Sequence, residues 1–132
     1  MVPGHEFSGE VAAPGPGVSG VAVGDAVYGM NDWFADGAQA EFCTAPADWI
    51  APKPAALDQA GAAVTPISAL TAWQGLFARC GLTAGQHVLV HGAAGAVGLF
   101  AVQFGKWQGA RVTARASAHN RDFVLGRRAG RR

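Results

Sequence analysis

The sequence predicts an α/β fold in which a β-rich N-terminal stretch and a short helical zone precede a strand, a glycine turn, a helix and a second strand. Three observations carry that expectation. Gln86 to Gly98 passes from a short uncharged apolar run straight into a glycine turn. A second strand-like run, Ala110 to Ala116, closes a βαβ unit of about thirty residues. The chain before Pro52 breaks into short apolar runs separated by turn residues.

Val11, Val18, Val21, Val23, Val27, Phe42 and Ile50 lie in these short runs, cut by Pro14-Gly15-Pro16-Gly17, Gly24-Asp25 and Asp36-Gly37. Such punctuation marks a compact all-β region. Pro52-Lys53-Pro54 ends it, because closely spaced prolines resist both helix and central strand. Asp58 then stands as an N-cap for a helix over Gln59 to Val64. Ile67 to Cys80 reads as a second helix whose Leu70, Trp73, Leu76 and Phe77 share one face.

Val88, Leu89 and Val90 are expected in a strand covered on both faces, as in parallel sheets. The following turn carries Gly92, Gly95 and Gly98 at every third position, and Val97, Phe100, Ala101 and Phe104 give Ala96 to Trp107 helical apolar spacing. A strand ending in a glycine turn that opens a helix is an anion site, since unpaired N–H groups and the positive end of the helix dipole face whatever lies above. Gly95 and Gly98 take the second and third glycine places of a dinucleotide fingerprint, and Ala93 takes the first. Gly92, Ala93, Ala94, Gly95, Ala96 and Val97 are thus the candidate phosphate-facing backbone. The other reading of the glycines alone is an ordinary glycine-rich turn in some α/β protein. Beyond the second strand, Asn120 is placed to cap a helix starting at Arg121, after which Gly126 to Arg132 offers no apolar face.

Composition limits the function classes. With 132 residues, 50% hydrophobic and 14% charged, the chain can bury one modest core. It holds no apolar run long enough to span a membrane and no signal-peptide pattern, so a cytoplasmic location is the default. Cys43 and Cys80, the only cysteines, are expected to be free buried thiols rather than a disulfide. Net charge is +1, yet residues 1–110 hold three basic residues against eight acidic ones, while residues 111–132 hold seven arginines against Asp122. A basic ending can mean nucleic-acid binding, but this one lacks aromatic or motif support, so no nucleic-acid partner is expected.

Gly4-His5-Glu6-Phe7-Ser8-Gly9-Glu10-Val11, Val23-Gly24-Asp25-Ala26-Val27-Tyr28-Gly29, Leu70-Thr71-Ala72-Trp73 and Val88 to Gly98 occur in this order. Together they resemble the medium-chain dehydrogenase/reductase superfamily, in particular its zinc-independent quinone oxidoreductase (zeta-crystallin-like) branch, over Pro3 to Val124. The resemblance implies a partial GroES-like β-barrel followed by the first βαβ unit of a Rossmann domain, with NADP(H) and a small-molecule quinone or enone substrate between the two. On this basis residues 1–54 form a partial GroES-like catalytic domain, 55–85 linking helices, 86–125 the start of a Rossmann NADP-binding domain, and 126–132 a basic, disordered tail. It further implies that the chain is an internal fragment with a truncated or frame-shifted end, inactive by itself. Members are often homodimers that pair through a Rossmann sheet edge absent here.

Thr71 lies near the nicotinamide by its match to the family's Leu-Thr-Ala motif, though a helical threonine is otherwise more often a surface or back-bonded hydroxyl. His5 and Glu6 stand where zinc-dependent relatives hold a metal, but Thr65-Pro66-Ile67-Ser68 lacks the expected cysteine, so no metal is expected. Sites preferring NAD place an acid roughly twenty residues past the glycine motif. Here Ser117, Asn120 and Arg121 occur with no acid before Asp122, which favours a 2′-phosphate and hence NADP. Tyr28, Asn31, Trp33 and Phe34 are candidates for the substrate side, the alternative being plain packing. No side-chain acid, base or nucleophile stands out, as suits chemistry carried by a cofactor. The competing reading is a non-catalytic dinucleotide-binding or interaction module.

Overall fold

The computed structural model describes residues 2–126. From residue 127 on, the predicted basic tail lies outside the described residues. The chain divides into two compact units, Met1–Ile67 and Ser68–Arg132.

The first unit is built on strands β1 (Glu6–Glu10), β2 (Ala26–Met30) and β3 (Ile50–Pro52), an antiparallel sheet in the order β1-β2-β3 with Ser8 opposite Tyr28 and Tyr28 opposite Ala51. Val27 turns inward from β2 and is buried. Among the valines expected in short strands, Val18, Val21 and Val23 instead lie in the long connection between β1 and β2, and Val23 is 68% exposed. Gly17, Gly20 and Gly24 all adopt positive φ along that connection, which interrupts any continuous ladder. Helix α1 (Gln59–Ala63) follows, capped as expected: the Asp58 carboxylate accepts from the Gly61 N–H at 2.7 Å. It packs against β1, where the Ser8 hydroxyl bonds the Gln59 side chain.

Helix α2 (Pro66–Trp73) does not continue to Cys80 as one regular helix. From Gln74 to Arg79 it widens into a π-helical turn, with the Cys80 N–H reaching back five residues to the Gly75 carbonyl at 3.1 Å. The widening accompanies an aromatic cluster in which Trp73 meets Phe77, Phe104 and Trp107 at ring-centroid distances of 4.5, 5.7 and 6.1 Å. It also leaves Cys80 at an exposed helix end, so of the expected buried thiols only Cys43 is partly covered; both are free.

Strands β4 (His87–His91) and β5 (Arg111–Arg115) run parallel in direct register, joined by helix α3 (Ala96–Trp107); helix α4 (Arg121–Gly126) follows β5. Val102 of α3 is fully buried against a core that includes Val90, Ala93, Ala101, Val124 and Ala72, with Val88, Val112 and Ala114 packed around it. The other face of the strand pair is open. Leu89 is 56% exposed, so β4 is covered on one face rather than on both. In the described residues the sheet has two strands, and α3 fills only one side of it.

Candidate functional site

The glycine turn links the C-terminal end of β4 to the first residue of α3. Gly92 takes φ +68°, a conformation that side chains rarely tolerate. The tight turn expected at the first fingerprint place therefore sits one residue earlier, which is why that place can hold Ala93, fully buried at negative φ. Gly95 caps α3 in an extended conformation, and its N–H returns to the Gly92 carbonyl at 2.9 Å. Gly98 packs so closely on the turn that a Cβ there would overlap the Gly92 carbonyl oxygen and stand 2.8 Å from the Ala93 Cα. Backbone, not side chain, lines this end of the helix.

Gly95, Ala96 and Val97 are exposed, and the first turn of α3 contains no acid. The N–H groups that open a helix have no intrahelical acceptor, so the positive end of α3 faces solvent. The Ala93 N–H donates to the Arg115 carbonyl at 3.0 Å. This bond ties the turn to the end of β5, whose strand lies about 4.8 Å from β4. The structure thereby brings the Gly92–Val97 backbone to the same strand ends from which the Ser117–Arg121 loop departs. Within that loop, directly before the helix that begins at Arg121, the Asn120 amide donates to the Ser117 hydroxyl oxygen at 3.1 Å. Ser117 and Arg121 are exposed, and no carboxylate precedes Asp122. Thr71 is exposed on α2, and its neighbour Ala72 shares the core cluster with Ala93.

The remaining candidates lie in the first unit. Tyr28 is half-buried in the middle strand. Asn31 is wholly buried: its side-chain amide donates to the Asp36 carbonyl at 2.8 Å and its backbone N–H to that of His5 at 3.3 Å. Its Oδ1 has no partner among the described residues, nor does His5 Nδ1. Trp33 stacks on the His5 ring at 4.3 Å, and Phe34 is 99% exposed. The carboxylate of Glu6 accepts from the Ile67 N–H at 2.9 Å, so it caps the start of α2. That role had no local signal, because the partners are sixty-one residues apart. The unit also contains a cavity of about 580 Å³, lined by Phe7, Val11, Val21, Val27, Phe42 and Ile50 among others, and by none of Tyr28, Asn31, Trp33 and Phe34. Cys43 borders it, and burial raises the thiol pKa. Among the described residues no three His, Cys, Asp or Glu side chains gather as a metal site, and no helix is long and apolar enough to cross a membrane.

Residues 1–55 match the alcohol dehydrogenase GroES-like domain. Over 92% of its length the chain superposes on an alcohol dehydrogenase superfamily protein from Novosphingobium aromaticivorans, with 39% identity and a TM-score of 0.89. The chain belongs to the medium-chain dehydrogenase/reductase superfamily. Other members resemble it similarly. The CurK enoyl reductase aligns over 96% of the chain at 33% identity and TM-score 0.88, and the mycobacterial protein Rv1454c, determined with NADPH, over 96% at 36% and 0.85. By sequence, the chain is 42% identical over 92% of its length to the spectinabilin polyketide synthase system protein NorB of Streptomyces orinoci. It is 35% identical over 95% of its length to a chloroplastic quinone-oxidoreductase homologue of Spinacia oleracea. The chain spans 40% of that homologue, 5% of NorB, and between 37% and 39% of the three solved chains. The three-stranded sheet of the first unit is the partial GroES-like sheet, and the parallel β4–β5 pair with α3 is the small α/β layer of this superfamily member.

Proposed function

We propose that this chain is part of an NADPH-dependent oxidoreductase acting on quinones or enones, in which the β4–α3 turn holds the pyrophosphate and the loop after β5 holds the adenosine 2′-phosphate. The observation that carries this reading is the open, acid-free N-terminus of α3, tied by the Ala93–Arg115 bond to a loop bearing Ser117, Asn120 and Arg121. Small residues from Gly92 to Val97 leave room for a phosphate against the backbone. When bound, the nicotinamide supplies the hydride. The chain's part is to bind and orient: amide N–H groups meet the pyrophosphate, the Ser117 hydroxyl and the Arg121 guanidinium meet the 2′-phosphate, and Thr71 lies toward the nicotinamide. Tyr28, Trp33 and Phe34 are proposed for the substrate side, with Asn31 bracing their loop from within. Residues 1–54, 55–85 and 86–125 are proposed as the GroES-like, linking and nucleotide-binding segments of the intact enzyme.

Charge-assisted contacts to a phosphate contribute about 1.5–3 kcal/mol each, so NADPH is expected to bind at least tenfold more tightly than NADH. Titration of the 132-residue chain with both cofactors, followed by nicotinamide or tryptophan fluorescence, checks this; equal affinities remove the 2′-phosphate assignment. Arg121→Ala is expected to erase the preference while leaving NADH affinity within about twofold.

The enzyme is proposed to work without zinc. Glu6 is committed to the α2 N-terminus and the His5 ring lies against Trp33, with no cysteine beside either. Zinc needs three or four such ligands. Elemental analysis of untagged protein should return far less than one zinc per chain. A stoichiometric ion that survives dialysis against a chelator contradicts the proposal.

A further inference from the structure

The two units carry opposite charge. Residues 1–67 hold eight carboxylates against Lys53 as their single Lys or Arg, whereas residues 68–132 hold nine Lys and Arg residues against Asp122, so their formal charges are −7 and +8 within a chain of +1. Each unit also shows aromatic rings to solvent beside charges of its own sign. In the first, residues 31–36 form a tight loop: the Asn31 side-chain amide donates to the Asp36 carbonyl at 2.8 Å, the Ala35 N–H to the Asp32 carbonyl at 3.2 Å, and the Phe34 N–H to the Asp32 carboxylate at 2.9 Å. The Gly37 N–H anchors the end of the loop on the Val2 carbonyl at 2.7 Å. Trp33 rests on the His5 ring, and Phe34 at the tip is 99% exposed between the exposed residues Asp32 and Asp36. In the second unit, Trp73, Phe77 and Trp107 touch one another with ring centroids 4.5–6.3 Å apart, and Trp107 is 70% exposed. Arg79, two residues past Phe77, and Lys106, next to Trp107, are both exposed. No ion pair holds Asp32, Asp36, Arg79 or Lys106 among the described residues.

We infer that the Asp32–Asp36 loop of one copy docks on the Trp73–Phe77–Trp107 cluster of a second copy of this chain, with Phe34 seated on the rings and the two carboxylates received by Arg79 and Lys106. Charge complementarity selects this occupant. A cluster-to-cluster contact sets Arg79 and Lys106 against their own kind, and a loop-to-loop contact does the same with the carboxylates; only loop on cluster pairs opposite charges. Phe34 also stands on backbone that is already ordered by the loop's own hydrogen bonds, so little freedom is lost when it is seated. Exposed rings beside cations can stack nucleobases as well. The acidic loop favours the second copy, because a phosphate backbone is repelled by the first unit. One loop on one cluster is smaller than the roughly 1,200–2,000 Å² of a stable interface, so the association is weak and reversible. The contact is heterologous, and copies close into a ring or extend into a chain according to the rotation between them. It does not rest on the proposed function, although a docked copy covers Trp33 and Phe34, which are also proposed for the substrate side.

The test is sedimentation velocity on the whole, nuclease-treated 132-residue chain at 10 and 200 µM in 50 and 500 mM NaCl, with single-stranded homopolymeric RNA titrated in parallel. At 50 mM NaCl the weight-average sedimentation coefficient is expected to rise with concentration, whether to a closed ring or to longer chains. The association constant should fall at least tenfold at 500 mM, where exposed charges are screened. Phe34→Ser and Trp107→Ser should each weaken association at least tenfold, and Trp107→Ser should leave any RNA binding unchanged. The double variants Asp32→Lys/Asp36→Lys and Arg79→Glu/Lys106→Glu, checked by circular dichroism, should each stay monomeric alone and associate when mixed, a rescue that unfolded proteins do not give. A parent chain that is monomeric at 200 µM, association indifferent to salt, or a folded double variant that self-associates like the parent overturns the inference. So do folded double variants that stay apart when mixed, and RNA binding that falls tenfold in Trp107→Ser, which assigns the cluster to nucleic acid.

Discussion

Replacing Gly98 with valine is expected to dismantle the second unit and abolish dinucleotide binding. The added Cβ falls on the Gly92 carbonyl oxygen and within 2.8 Å of the Ala93 Cα, and both belong to backbone that cannot rotate away. Relief requires either lifting α3 from the turn or withdrawing Ala93, whose N–H holds the Arg115 carbonyl and whose side chain is fully buried. Each route breaks core packing as well as hydrogen bonds. Losses above about 4 kcal/mol arise from such compound damage and are a large share of a small domain's stability. Thermal unfolding followed by far-ultraviolet circular dichroism should show the transition displaced or missing, and NADPH titration should show no saturation. Gly75→Ala is the matched control, because a Cβ there meets nothing within 4 Å. A Gly98→Val protein that melts within a few degrees of the parent contradicts the close contact between α3 and the turn.

Phe104→Ala is expected to cost about 3 kcal/mol, the lower end for truncating a packed phenylalanine, since the residue is only partly buried. Phe104 joins the covered face of the strand pair to the aromatic cluster: its ring lies 5.7 Å from Trp73, 6.4 Å from Phe77 and 5.8 Å from Phe100, and it packs against the buried core. For a unit of this size the melting midpoint should fall on the order of 15 °C. The turn and the Ser117–Arg121 loop are built from other residues. Below the transition, NADPH affinity should therefore change less than threefold. Melting curves and titrations on the same preparation separate the two effects; a midpoint within about 3 °C of the parent shows that the cluster contributes little.

Local signals survived into the structure where short-range chemistry governs them. Helix α3 spans Ala96–Trp107 as its apolar spacing indicates, because a glycine turn starts it and a continuous apolar stripe meets the strands. The Asp58 cap was legible for the same reason: donor and acceptor are three residues apart. The parallel strand on either side of α3 followed from the βαβ order. In the candidate site, the glycine turn and the acid-free end of β5 were both readable as sequence.

Other features depend on contacts that no window of sequence contains. The π-helical turn after Trp73 keeps the helix-like apolar pattern, so spacing alone does not reveal it. Val23 and Phe42 resemble strand residues but lie outside the strands, where they are 68% and 77% exposed. Asn31 reads as a loop candidate for the substrate side, and only the fold of residues 31–36 buries it completely.

By itself, then, the sequence determined the order of elements, the starts of α1 and α3, and the motif that ends β4, because each depends on residues within a turn or two of one another. Only the tertiary structure decided that Glu6 caps α2, that the turn is tied to the Ser117–Arg121 loop through Arg115, and that β4 shows Leu89 to solvent. Those outcomes depend on which segment lies alongside which, and side-chain burial and long-range hydrogen bonds are properties of that arrangement rather than of local composition.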